Sequence, residues 1–460
     1  MNFFNHFENL GTDFFSKITT TPLENSFVAA YSPSACTLLD FDPQEFLKPE
    51  FCKFTNPNFC NLAMLYAGHQ FGHFVPQLGD GRAALLAQIS NQKNESWDLV
   101  LKGAGLTPYS RMGDGKAVLR SSIREFLVSE AMFHLGIPTS RALCLIASEE
   151  KIHRDGMEKA AQIIRLAPSH VRFGSFEVFF YRKQNEQIKI LADYVIEQNF
   201  SQLKNHPNKY SEFLAGVVES TAKLIAKWQA FGFCHGVLNT DNMSILGITF
   251  DYGPFGFLDA YNPHHICNHS DFEGRYSFAN QPAIGLWNLH AFAITLSSLV
   301  SMEEQKEILA NYEKFFYQEF YNLMAQKLGF TSADENTKKL THEVLDLLEQ
   351  HQIDYTFFFY NLTNLDVILS LSKDDSWHKA LKSLHPKIPT TIQKNTNPKF
   401  ILRNHLLQTA IEKADLANDF SEVKKLLKIM QNPFDEQPEN ESYASLPPTW
   451  AKEISISCSS

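Results

Sequence analysis

Nothing in the 460-residue sequence forms an apolar run long enough to cross a bilayer: stretches such as Ala291 to Val300 fall well short of the roughly 20 residues a membrane helix needs. Basic residues are not in excess. Lys and Arg number 41 against 51 Asp and Glu, a net charge of -10, so neither nucleic acid nor a membrane surface is expected as a partner. Seven cysteines, at 36, 52, 60, 144, 234, 267 and 458, form no paired CxxC pattern, which argues against a disulfide framework and for a reducing compartment. The first residues, MNFFNHFENLGTDFF, lack a basic stretch followed by an apolar run, so no signal peptide is expected and the chain reads as soluble and cytoplasmic. There is no internal repeat, heptad array or low-complexity tract. The length leaves room for two or three domains with buried cores.

Chemistry concentrates in CHGVLNTDNMSILGITFDYG, from Cys234 to Gly253, which holds His235, Asp241, Asn242 and Asp251. In protein kinases an Asn follows the catalytic-loop His by seven positions, and a later Asp-Phe-Gly holds magnesium. Here Asn242 follows His235 by seven, and Asp251-Tyr252-Gly253 begins nine positions later. The kinase general base would fall at Val237, which accepts no proton. Asp241 is the nearest carboxylate able to replace it.

Upstream, residues 1–60 are loop-rich and read as a wrapping segment. NLAMLYAGHQFG predicts a helix that leads into the turn Gly79-Asp80-Gly81 and then a strand. Gly79, Gly81 and Arg82 have the groups to hold phosphate, although Gly-x-Gly by itself reads as an ordinary hairpin turn. His69 and His73, four apart, lack the acid a zincin requires and read as structural. Trp97 to Lys102 alternates as a strand with Lys102 on the face of Val100. After Asp114-Gly115-Lys116, a helix carries Leu119, Ile123, Phe126, Leu127 and Ala131, ending at Gly136 and Pro138. Glu125 on that helix is the candidate partner of Lys102, as in the kinase Lys-Glu pair, the alternative being two solvated charges. RALCLIAS and KAAQIIRLA read as strands. Arg165 and Arg172, seven apart, are either surface arginines or a phosphate clamp. A helix from Tyr210 to Phe231 delivers the chain to the central stretch. His264, His265, Cys267 and His269 crowd into six residues without the separated pairs of a zinc site. Residues 282–427 are mostly helical, and the tail from Gln431 is extended.

AGHQFG, QLGDGRA, LKGAG, YSRMGDGKAVLRSSIREFL, HGVLNTDNMS, DYGPFGFLDAY and a terminal CSS occur in this order. Together they resemble the selenoprotein O family over nearly the whole chain. The resemblance implies an α+β, protein-kinase-like bilobal fold with a mixed β/α N-terminal lobe and a mostly helical C-terminal lobe. On that plan residues 1–60 wrap, 61–205 bind nucleotide, 206–430 form the helical lobe with the catalytic loop, and 431–460 are a tail. It implies a protein adenylyltransferase that binds ATP in a flipped orientation and moves AMP to Ser, Thr or Tyr hydroxyls of proteins. Asp241 is then the proton acceptor, and Asn242 and Asp251 the ligands of magnesium or manganese. Gly79, Gly81, Arg82, Lys102, Asp114, Gly115, Arg165, Arg172 and Asp251 are ATP contacts. Cys458 stands at the family's selenocysteine position, and Cys267 is its expected redox partner.

Two other readings compete. A phosphotransferase would use Asp241 in place of the missing base, and a non-catalytic pseudokinase scaffold would explain Val237 but not the retained Lys, Asn and Asp.

Overall fold

The computed structural model describes residues 2–48, 50–154 and 156–457. Among them, nine strands form one sheet. Its main path runs Phe15–Lys17, Leu62–Met64, Ala83–Ser90, Ser96–Lys102, Met157–Ala167, Arg141–His153, Phe27–Tyr31, with Asn2–Phe4 beside Ala83–Ser90 and Ala117–Val118 beside Met157–Ala167. Every pairing is antiparallel. The residues read as a wrap thus supply three of the strands.

Register separates the two faces. Lys102 lies opposite Ile163 and Val100 opposite Arg165, so these four side chains share a face. The alternate residues Leu99, Leu101, Ile164 and Leu166 pack on the other face with Ala35, Leu39, Phe46 and Phe54. The helix Leu119–His134 lies against the first face, with Ile123, Phe126 and Leu127 in the main core. Its outer side is covered in turn by the helices Asn404–Ala417 and Ser421–Met430. The two carboxylates of this doubly covered helix, Glu125 and Glu130, are therefore buried, and both are paired with cations: Arg141 makes a two-point contact with Glu130, Nε to Oε1 at 2.8 Å and Nη2 to Oε2 at 2.6 Å.

The remainder is helical. Phe173–Tyr181 and Asn185–Asn199 precede Lys209–Phe231, whose C-terminal turn closes at Gly232, φ +68°. Helices then recur from Gln281 to Met430. No helix among the described residues is long and apolar enough to cross a membrane.

The helix expected in NLAMLYAGHQFG is not formed. Leu62–Met64 joins the sheet, and Gly68–Gln70 pairs with His73–Val75 as a separate hairpin. Leu62, Ala63 and Met64 are all buried, so the segment shows a continuous apolar run that periodicity cannot tell from a buried helix.

Candidate active site

Where the sheet meets the helical part lies a cavity of about 670 Å³. Gly79, Gly81, Arg82, Lys102, Asp114, Gly115, Arg165, Arg172, Asp241, Asn242 and Asp251 all line it, with Val237 among them. Seven basic side chains face four acidic ones, a local positive balance in a chain of net charge -10. The lining therefore suits a polyphosphate anion.

Lys102 donates to Glu125 Oε2, and Glu125 Oε1 accepts from Arg165 Nη1 at 3.3 Å. Glu125 is fully buried behind the cavity and holds both cations from that side. Burial lowers the Lys102 pKa, and Glu125 only partly restores it. Asp251 stands between two guanidinium groups: Oδ1 accepts from Arg165 Nη1 at 2.5 Å and Oδ2 from Arg172 Nη1. Burial alone would raise its pKa, but Arg172, Arg165 and Lys102 hold the carboxyl far below the usual range. Both arginines are only 3% exposed, so neither is a surface residue.

The segment that carries Asp241 is fixed from two sides. Arg172 Nη1 also donates to the Asp241 carbonyl at 2.7 Å, and the Phe173 N–H donates to the Met243 carbonyl at 2.9 Å. On the other side, the buried Glu177 accepts from Thr240 Oγ1 at 2.6 Å and contacts His69 Nδ1 at 2.7 Å, while the His69 N–H donates to Thr240 Oγ1 at 2.7 Å. His69 thus supports the loop that carries Asp241, whereas His73 is exposed on the opposite strand of the hairpin.

Asp241 is buried, with Oδ2 accepting from Gln70 Nε2 at 3.1 Å and Oδ1 without a hydrogen-bond partner. Burial pushes its carboxyl up to about 7, against the opposing pull of Arg172 and Gln70. A carboxylate poised near neutrality with a free lone pair is equipped to take a proton. Asn242 donates through Nδ2 to the Val237 carbonyl at 3.0 Å, and its side-chain oxygen makes no hydrogen bond among the described residues.

His235 has a different task. It stacks on Trp228, ring centroids 5.3 Å apart, and burial lowers its pKa to about 4. The Phe250 carbonyl can only accept, so Nε2 carries the proton it shares at 3.2 Å, and Nδ1 accepts from the Val237 N–H at 3.4 Å. A neutral imidazole therefore ties the start of the loop to the residue before Asp251.

The glycine-rich side is built from close approaches. Gly115 has φ +73°, and a Cβ there would fall 2.0 Å from the Gly105 carbonyl oxygen. The Gly81 N–H donates to the Gly79 carbonyl at 2.8 Å, so that N–H is already engaged. Asp114 is held by Arg154, Nη2 to Oδ1 at 2.6 Å and Nη1 to Oδ2 at 3.0 Å, and the Arg154 pairing lowers its pKa. Arg154, Gln70, Arg111 and Lys116 line the cavity and were not singled out from sequence. Arg111 and Lys116 flank Gly113-Asp114-Gly115 in a motif whose basic residues were a usable signal. Arg154 is 40 residues from Asp114, at the end of a strand, and nothing local marks it.

Cys267 is a buried thiol whose Sγ donates to the Cys234 carbonyl at 3.5 Å. Burial raises its pKa well above the ordinary value. Its expected partner Cys458 lies outside the described residues.

The profile of the protein adenylyltransferase SelO family matches residues 1–431. Over 482 aligned positions the chain is 46% identical to the protein nucleotidyltransferase YdiU of Pseudomonas fluorescens, spanning all of this chain and 99% of that one. The YdiU proteins of Thiobacillus denitrificans and Stutzerimonas stutzeri are 46% and 45% identical with the same coverage. Similarity of this extent, over a cavity that gathers every expected nucleotide and metal position, has one conclusion: the chain belongs to the protein adenylyltransferase SelO family and is an enzyme of the nucleotidyltransferase class.

Proposed function

We propose that this enzyme transfers AMP from ATP to Ser, Thr or Tyr hydroxyls of proteins on a protein-kinase-like bilobal fold, in the cytoplasm. The observation that carries the reading is the pairing of an apolar Val237 with a buried Asp241 whose Oδ1 has no partner, both lining one cavity. The Lys102–Glu125 contact between strand and helix, and the loop from His235 to Asp251, support the kinase-like likeness. The cysteines among the described residues are free thiols, in keeping with a reducing compartment.

In this reading Asp241 accepts the proton of the acceptor hydroxyl as its oxygen attacks the α-phosphorus. The bond from that phosphorus to the bridging oxygen breaks, and pyrophosphate leaves. Lys102, Arg165 and Arg172 stabilise the phosphate charge, their guanidinium and ammonium groups already gathered on Asp251 and Glu125. The donor set fits a hard divalent cation: each Asp251 oxygen keeps a lone pair beyond its guanidinium contact, and these with the Asn242 side-chain oxygen would hold magnesium or manganese. Bound there, the cation supplies charge neutralisation on the phosphates.

Asp251→Asn keeps the shape of the side chain while removing its charge. Transfer is expected to be lost, and metal-dependent ATP affinity to fall. Asp241→Asn is expected to lower turnover by roughly 10²–10⁴ with ATP affinity retained, the span typical of a lost general base. Isothermal titration and rate measurements separate the two effects. Wild-type turnover in Asp251→Asn would sink the assignment.

A further inference from the structure

The hairpin Gly68–Val75 reaches past the catalytic cavity and carries a strained turn. Phe71, at φ +51°, and Gly72, at φ +81°, form its two-residue tip. Asn or Gly is the usual choice for the first of these positions, and a bulky aromatic there is an outlier that its surroundings must enforce. They do so here: the Phe71 N–H donates to Tyr276 Oη at 2.9 Å and to Asn239 Oδ1 at 3.2 Å, and Tyr276 Oη itself donates to Asn239 Oδ1 at 2.5 Å. The preceding residue, Gln70, is the one that donates to Asp241. Strain maintained beside a reacting group points to function.

Beyond the turn lies Arg275. Its guanidinium packs against Gly72 and sits over the Trp287 ring, 4.9 Å from the centroid. No carboxylate lies within ion-pair distance among the described residues. Asp271, four residues before it, uses both oxygens on backbone, accepting from the Arg275 N–H at 3.0 Å and the Tyr276 N–H at 2.7 Å. An unpaired cation on an aromatic shelf invites an anion. The shelf continues from Trp287, 37% exposed, through the His69 ring, 5.2 Å from both Trp287 and Phe74, to the Phe74 and Tyr181 rings, 3.8 Å apart, while Phe272 lies in the same loop as Arg275 at 93% exposure.

We infer that this ledge of Phe71, Phe74, Tyr181, Phe272, Arg275 and Trp287 is the docking surface for the acceptor protein. It fits an extended segment whose hydroxyl residue enters beside Asp241 while a neighbouring acidic side chain engages Arg275 and an apolar one lies on the rings. The inference rests on the adenylyl-transfer reading for the identity of its occupant. Charge complementarity and continuity with the cavity wall through Gln70 and Phe71 select a protein segment with an acidic flank.

The test uses fluorescent peptides carrying one Ser, Thr or Tyr, flanked either by Glu or by Lys in an otherwise neutral background. Binding is measured by anisotropy on the full-length enzyme with magnesium and an ATP analogue that cannot be cleaved at the α-phosphate. Glu-flanked peptides are expected to bind roughly tenfold more tightly than Lys-flanked ones, and Arg275→Glu to abolish or invert that preference without altering ATP affinity. Phe272→Ala, which removes an exposed ring and threatens no core, is expected to weaken both peptide sets several-fold. Equal binding of the two sets by the wild type, or an unchanged preference in Arg275→Glu with ATP affinity intact, overturns the inference. Labelling by α-labelled ATP is scored separately: peptides that bind with the charge preference but acquire no label leave the docking surface standing and count against adenylyl transfer.

Discussion

Asp251 is held at φ +58°, a left-handed conformation that costs a non-glycine residue about 1–2 kcal/mol, and both its oxygens are taken by buried guanidinium groups. Such a residue is over-determined by its neighbours, so its carboxylate keeps one orientation at the cavity wall. Lys327 shows the opposite situation. It is 3% exposed, has no carboxylate partner among the described residues, and is surrounded by the rings of Phe359, Phe231 and Tyr355 at 4.5, 5.4 and 5.5 Å. Burial lowers its pKa to about 7 from an ordinary 10.5. The folded form then binds fewer protons than the unfolded one between those values, so stability rises with pH across that window and the penalty is complete below it. Lys327→Met is expected to stabilise the fold by on the order of 2 kcal/mol at pH 6.5, with the gain shrinking towards pH 10. Urea unfolding at several pH values checks this, and a gain independent of pH would contradict it.

Among the elements, the hairpin Gly68–Val75 controls Asp241 most directly. A Cβ at Gly68 would sit 2.8 Å from Asp241 Oδ1 and 2.9 Å from its Cβ. Gly68→Ala should displace the carboxylate and lower turnover at least tenfold, with a smaller effect on ATP affinity because the atoms the added Cβ meets first all belong to Asp241 and none to Lys102, Arg165 or Arg172. Titration calorimetry beside a rate assay decides this, and a loss of ATP affinity equal to the loss of rate would show that the hairpin acts elsewhere. Glycine spacing and a short apolar run carry no register, so the sequence predicts a helix where this hairpin forms. The helix Leu119–His134 was legible because its apolar stripe and its Gly136 stop are local signals. Phe173–Tyr181 was not, because every residue from Phe173 to Phe179 is buried, Ser175 and Glu177 included, so no exposed polar face contrasts with the apolar one.

Across the whole molecule, the ordered motifs carried the site. Residues from Gly79 to Asp251 converge on one cavity because the antiparallel strands Ser96–Lys102 and Met157–Ala167 place Lys102 and Arg165 on the face that Glu125 approaches. Beyond the Lys102–Glu125 pair, most contacts between distant segments left no trace in the sequence. Arg154 reaching Asp114, Gln70 reaching Asp241, and the helices after Arg403 returning to cover the Glu125 helix are products of tertiary packing.

In the proposed mechanism Asp241, in place of a base at position 237, serves transfer of the adenylyl group by attack at the α-phosphorus. Purified enzyme, magnesium and a protein acceptor should be incubated with ATP labelled at either the α- or the γ-phosphate, and the modified peptides weighed by mass spectrometry. Covalent label from the α position alone, with an AMP mass increment that disappears in Asp241→Asn, is the predicted result. Label from the γ position alone would make the protein a kinase and contradict the account.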